Sequence, residues 1–153
     1  MSLEIGSFAQ EHQPPRVFDA IVPGRRILIV EDEMFVAMDI EAAVNKAGHK
    51  VVGFAGTAER AVTLAEETRP DLVLMDIYMN GIDGIALCAR IKRNAMSHAI
   101  PIIMCSSSPT QDNVIKAVRA GAVDFLVKPF TRQILIEKIN KHLINKNALL
   151  NSL

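Results

Sequence analysis

Asp71-Leu-Val-Leu-Met-Asp76, with the turn after it, Ile77-Tyr-Met-Asn-Gly-Ile-Asp-Gly84, decides how the rest of the chain is read. The apolar run from Leu72 to Met75 ends on a carboxylate, Asp76. A run so short and so apolar reads as a strand buried on both faces, the kind a parallel sheet uses. Gly81 and Gly84 bracket Asp83 in a turn, where they serve backbone geometry and Asp83 serves as a cap. Open α/β sheets hold ligands beyond the carboxyl ends of their strands, so an acid at that position calls for a chemical role.

The same pattern recurs on either side. Ile27-Leu-Ile-Val30 runs into Glu31-Asp32-Glu33, and Lys50 to Ala55 reads as a second strand. Ile100-Pro-Ile-Ile-Met-Cys105 runs into Ser106-Ser-Ser108, and Val123 to Val127 into Lys128-Pro129-Phe130. Helical stripes fill the intervals. The first has apolar residues at 36, 40, 43, 44 and 47 and stops at Gly48. The second follows an N-capping Thr57 with Ala58, Ala61, Val62 and Ala65 inward, and Arg69-Pro70 ends it. The third runs from Gly84 to about Asn94 with Ile85, Leu87, Cys88 and Ile91 for packing, and the fourth from Thr110 to Ala120, closed by Gly121. A fifth, capped by Thr131, runs to about residue 147 with Ile134, Leu135, Ile139, His142 and Leu143 as packing positions. Met34, Phe35 and Met38 are read as core, Met38 being the one to face outward if this helix offers a docking surface. Five strands alternating with five helices imply βαβ units with right-handed crossovers, hence a doubly wound α/β fold.

Composition narrows the function. At 153 residues the chain has room for one well-cored domain. Lys plus Arg equals Asp plus Glu at 17 each, which argues against coating nucleic acid or anionic membrane. No apolar run approaches the ~20 residues of a membrane span, and no signal peptide is evident. A cytoplasmic location is the expectation. Cys88 and Cys105 fit no metal or redox spacing and read as buried thiols. His12, His49, His98 and His142 are scattered, and none reads as a ligand or phosphodonor. Lys116 and Arg119 read as a solvated helix face. Residues 1–24 form an N-terminal extension with a short helical piece around Arg16 to Ile21, residues 25–147 the domain, and residues 148–153 a tail carrying Ala148-Leu-Leu150.

In a parallel sheet every strand's carboxyl end lies on one edge, so Glu31, Asp32, Asp76, Ser106 and Lys128 should share a rim. Three carboxylates in one place repel unless a cation sits among them. A hard divalent ion suits an all-oxygen cluster, with Mg2+ the first expectation and Mn2+ or Ca2+ substitutes in a crystal. Metal, ammonium and hydroxyl together can hold the peripheral oxygens of a phosphoryl group in transfer to an oxygen nucleophile.

Taken together, Ile27-Leu-Ile-Val-Glu-Asp-Glu33, Asp71-Leu-Val-Leu-Met-Asp76 with Met79 and Gly81-Ile-Asp-Gly84, Pro101-Ile-Ile-Met-Cys-Ser106 and Gly121-Ala-Val-Asp-Phe-Leu-Val-Lys-Pro-Phe130 resemble the receiver domain of two-component response regulators. The resemblance covers residues 25 to 147 in order. It implies a flavodoxin-like (βα)5 three-layer sandwich with a five-stranded parallel sheet of order 2-1-3-4-5. It also implies that Asp76 accepts a phosphoryl group from a histidine on a sensor kinase or phosphotransfer protein. Asp32 would ligate Mg2+ directly, Glu31 largely through water, and the main-chain carbonyl of Tyr78 would complete the protein ligands beside Asp76. Ser106 and Lys128 would contact the phosphoryl group, and Ser106 and Phe125 would move on switching. Lys128-Pro129 would be a cis bond. Partner binding would change at the face made by the fourth helix, fifth strand and fifth helix, a homodimer being one arrangement there. Departures from the family pattern are Glu31 for the commoner Asp, Asn80 for the usual Pro, Ser107 for Ala, and a bulky Tyr78 at a variable position that bears on dephosphorylation.

Two rival classes remain at this stage. One is a Mg2+-dependent phosphohydrolase with an aspartyl nucleophile, which wants a second Asp where Tyr78 stands. The other is an interaction module that keeps the fold and is never phosphorylated, against which the intact acids and Lys128 count. As a receiver the chain would catalyse only its own phosphorylation and dephosphorylation, either free-standing or as one domain of a larger protein.

Overall fold

The computed structural model describes residues 24–144. The helical piece expected around Arg16 to Ile21 and the tail lie outside the described residues; the fifth helix, expected to run to about residue 147, ends at Leu143, with Ile144 already extended. Five parallel strands form the sheet: β1 Arg26–Val30, β2 Lys50–Ala55, β3 Leu72–Asp76, β4 Ile102–Ser106 and β5 Asp124–Val127. Their spatial order is β2-β1-β3-β4-β5, the doubly wound arrangement expected. Five helices connect or follow them: α1 Met34–Lys46, α2 Ala58–Thr68, α3 Gly84–Arg93, α4 Gln111–Arg119 and α5 Arg132–Leu143.

Side-chain alternation along the strands builds two cores. Ile27 and Ile29 of β1, with Leu72 and Leu74 of β3, face α1 and α5, where Ala37, Ile40, Val44, Leu135 and Ile139 meet them. Leu28, Val30, Val73 and Met75 face the other way, onto Leu64 of α2, Leu87 and Ile91 of α3 and Ala117 of α4. Both faces of the central strands are therefore apolar and fully covered, as the unbroken apolar runs require.

The helix ends follow local chemistry. Thr57, Thr110 and Thr131 each accept a hydrogen bond from the backbone three residues on, at 3.2, 3.1 and 3.1 Å. Gly48 and Gly121 follow the ends of α1 and α4 at φ of 90° and 106°, the left-handed conformation glycine tolerates best. Arg69 closes α2 with φ of 46°, a non-glycine in the same region that nothing in its side chain announces. The fourth strand begins two residues later than its apolar run. Pro101 has no N–H to give the ladder and contributes only its carbonyl, to Val73 N at 2.9 Å.

Some packing expectations fail. Met34, Phe35 and Met38 are not core; they are 74%, 88% and 54% exposed. The inward stripe of α1 is carried by Ala37, Ile40, Ala43 and Val44, and those three lie outside it. Ala47 is an exposed cap, and Ile134 is largely exposed on α5. His142 is held by a carboxylate, not by apolar packing, its Nε2 standing 2.8 Å from Asp124.

Candidate functional site

Alternation along the strands also sorts the polar residues at the carboxyl edge. Glu31 follows Ile27 and Ile29, and Asp76 follows Leu72 and Leu74, so both carboxylates emerge on the α1/α5 side. Lys128 follows Leu126 on the same side and meets them, its Nζ 2.7 Å from Glu31 Oε1 and 3.3 Å from Asp76 Oδ2. Ser106 and Phe125 belong to the opposite alternation, Phe125 packing half-buried against the α2–α4 core.

Glu31, Asp32 and Asp76 each offer a carboxylate oxygen within 4.8 Å of the others. Carboxylates alone at that spacing are a hard, all-oxygen donor set, which fits Mg2+ better than a softer ion. Glu31 and Asp32 stand at the end of β1, Asp76 at the end of β3, and the two strands are paired neighbours, so the fold itself brings the acids together. The Lys128-Pro129 bond is cis, as expected from the resemblance.

The three charged partners do not share one electrostatic fate. Burial pushes the Glu31 carboxyl above its ordinary value, and Asp76 adds to the rise; Lys128 opposes both without reversing them. Burial pulls the Lys128 ammonium down, but Glu31 and Asp76 more than restore it, leaving it above the usual lysine value. Asp32 is held below the usual range, chiefly by the Asn80 backbone N–H, which donates to its Oδ2 at 2.7 Å. A proline at residue 80 has no N–H and removes that bond. The departure at Asn80 therefore ties the loop after β3 to the most exposed acid of the cluster.

That loop contains an element the sequence reading lacks. Tyr78–Met79 and Ile82–Asp83 pair as a two-residue antiparallel ribbon around Gly81, which has φ of 74°. Its segments are too short to carry a periodicity. Gly84 is needed for space: a Cβ there collides with the carbonyl oxygen of Asp76 and stands 2.8 Å from that of Ile77. Asp83 caps α3, accepting from Ile85 N and Ala86 N at 2.9 and 3.2 Å.

Ser106 is buried, and its Oγ accepts from Ser108 N at 2.9 Å. Tyr78 reaches the same region from the β3 side, its hydroxyl 3.4 Å from Asn113 Oδ1 in the first turn of α4. Asn113 is a residue the sequence reading does not single out. Its place beside the Thr110 cap, in phase with the buried Ala117, is the signal available for it. The thiols behave as expected: both cysteines are buried, burial pushing Cys88 to about 11 and Cys105 to about 12.

Comparison with known proteins agrees with this geometry. The family model for the response regulator receiver domain matches residues 27–140. The chain is 43% identical over 121 residues to the chemotaxis protein CheY of Thermotoga maritima, covering 77% of this chain and 97% of that protein. It is 42% identical over 121 residues to the transcriptional regulatory protein PdtaR of Mycobacterium tuberculosis, of which it spans 57%. Among solved structures, the receiver domain of a sensor histidine kinase from Pseudomonas aeruginosa superposes with a TM-score of 0.69 at 31% identity. That likeness covers 78% of this chain and 97% of the other, and that structure has a magnesium ion coordinated in its active site cleft.

Proposed function

The chain belongs to the response regulator receiver domain family, and on that premise we propose that Asp76 is its phosphoacceptor, charged by a phosphohistidine on a sensor kinase or phosphotransfer protein. The observation that carries the reading is the convergence of Glu31, Asp32 and Asp76 within 4.8 Å, with Lys128 bridging two of them. Glu31, Asp32, Asp76 and the Tyr78 carbonyl would hold Mg2+, which when bound neutralises charge on the phosphoryl oxygens.

In the transfer an Asp76 carboxylate oxygen attacks phosphorus. The P–O bond forms as the P–N bond to the donor imidazole breaks, and that nitrogen leaves with the bonding pair and takes a proton. Lys128, already 3.3 Å from Asp76, neutralises charge gathering on a phosphoryl oxygen. The Ser106 hydroxyl donates to another. Water later attacks phosphorus, releasing inorganic phosphate and the Asp76 carboxylate. The half-buried ring of Phe125, on the face of the sheet that also receives Ser106, moves with that serine and alters the surface of α4, β5 and α5.

A docking surface for the donor lies beside the site. Phe35, Val36, Asp39 and Ile40 of α1 and Ser107, Lys128, Pro129 and Phe130 from the strand ends line a groove of about 450 Å³. Met34, Phe35 and Met38 stand exposed along α1. No described helix is long and apolar enough to cross a membrane, and the proposal places the reaction in the cytoplasm.

Incubation with acetyl phosphate and Mg2+ tests the reading. Stoichiometric labelling, lost in Asp76→Asn, is the expected result. Multiple-turnover release of phosphate would instead assign a phosphohydrolase, and absence of labelling a passive interaction module.

A further inference from the structure

Three hydrogen bonds, outside the contacts that bridge the acids, run from the loop after β3 to the switch serine. The Tyr78 hydroxyl donates to Asn113 Oδ1 at 3.4 Å, and Asn113 Nδ2 donates to the Ser108 carbonyl at 3.0 Å. Ser108 N donates in turn to Ser106 Oγ at 2.9 Å. The direction of this chain is fixed by its members. A backbone carbonyl only accepts, so the Asn113 NH2 must face Ser108 and its oxygen must face the one group able to donate, the tyrosine hydroxyl. Asn113 is 8% exposed, so an amide oxygen stripped of that donor loses a partner that water does not readily replace. Tyr78 by contrast is 61% exposed, and no buried packing holds its ring there.

We propose that Asn113 and the Tyr78 hydroxyl are positioning residues for Ser106, keeping its hydroxyl engaged by the Ser108 amide until a phosphoryl group arrives. The inference rests on the phosphoacceptor reading of Asp76 and adds to it a resting-state restraint. Ser108 belongs to the segment joining β4 to α4, and Asn113 anchors that segment to the first turn of α4 while Tyr78 braces Asn113 from across the site. Ser106 turns toward Asp76 only as Ser108 withdraws, and Ser108 withdraws only as the Asn113 amide lets go. Tyr78 thereby reports the state of the β3 loop to the serine that contacts the phosphoryl group. Loss of the hydroxyl shifts the population toward the released serine without any change at the acids.

Tyr78→Phe keeps the ring and the main-chain carbonyl and removes only the hydroxyl. Two measurements test it. Hydrogen exchange at the Ser108 amide, in unphosphorylated protein without donor, should quicken about threefold to tenfold, the range one lost hydrogen bond supports. The rate of labelling by limiting acetyl phosphate with Mg2+ should rise by a similar factor in Tyr78→Phe, and the rise should vanish when Ser106→Ala is added. Asn113→Ala should reproduce both effects; where it fails to fold, Tyr78→Phe carries the test alone. Unchanged exchange at Ser108, or a rate gain that survives Ser106→Ala, would overturn the proposal. Failure of the wild-type chain to label at all would sink the phosphoacceptor reading, whereas the exchange measurement needs no phosphoryl group, so the two failures are told apart.

Discussion

At the carboxyl edge of the sheet three carboxylates share one ammonium; at the opposite end of β5 one carboxylate holds an ammonium and an imidazole. Asp124 accepts from Lys138 Nζ at 2.7 Å, from His142 Nε2 at 2.8 Å and from Phe125 N at 2.8 Å. Burial alone would raise its pKa, but Lys138 and His142 overcome that and hold it at about 2. Glu31, bonded to Lys128 at the same 2.7 Å, has its pKa raised. The bond lengths are alike; Glu31 is pushed up first by burial and then by Asp76, whereas Asp124 has two side-chain donors and a backbone N–H to set against its burial. Where two side-chain donors, an ammonium and an imidazole, meet one acid the cluster pins α5 to β5, and where acids outnumber cations the cluster stores repulsion that an incoming positive charge relieves. On the reading proposed above, a site that receives a metal and a phosphoryl group gives up stability that a structural cluster keeps.

The largest effect that sharpens this contrast is Asp76→Asn. Labelling by acetyl phosphate should fall at least about a hundredfold, while the urea midpoint should rise, corresponding to about 0.5–2 kcal/mol, because one of three crowded charges is gone. A lower midpoint would mean that the acids are not in conflict. Lys128→Met should cost about 3–5 kcal/mol in magnesium-free buffer, leaving buried Glu31 without its cation. Millimolar Mg2+ should restore part of that loss, measured by thermal unfolding with and without the ion; a variant indifferent to Mg2+ would break the assignment of the metal site.

Asp124→Asn should cost a smaller amount, about 1–2 kcal/mol by urea titration, and leave both labelling and the Mg2+ response untouched. The smallest effect is its pH dependence. The folded pKa of Asp124 is depressed to about 2 from 3.8, so the unfolded chain binds more protons between those values and stability must fall as pH falls through them. The stability gap between wild type and Asp124→Asn should therefore be full above pH 4 and close toward pH 2. A gap that persists at the acid end would show that packing, not charge, distinguishes the two side chains.

Much of the fold was legible because strand runs such as Leu72 to Met75 are apolar on both faces, and only a covered parallel sheet tolerates that. Gly48 and Gly121 could be read as caps because few other residues take positive φ cheaply. Arg69 takes it too and could not be read, since nothing in an arginine side chain favours that region. Glu31, Asp32, Asp76 and Lys128 were legible because they stand at the ends of apolar runs, and their meeting needs only parallel topology; Ser106 ends such a run too but lies on the opposite alternation. Met34, Phe35 and Met38 were misread because hydrophobicity alone does not say which side of a helix is inward. The partners of Asn113 and of Asp124 were hidden because Tyr78, Lys138 and His142 are separated from them in sequence and joined to them only by tertiary packing.

Tyr78 is the single tyrosine of a chain that has no tryptophan. Its emission consequently arises from one side chain, two residues past Asp76 and within reach of Asn113. The protein thus carries an intrinsic optical probe at the place where loop, helix and acid cluster meet. On the proposed reading of Asp76, metal titration, phosphoryl arrival and decay would each be followed in real time on the unlabelled wild-type chain, with no dye on its surface.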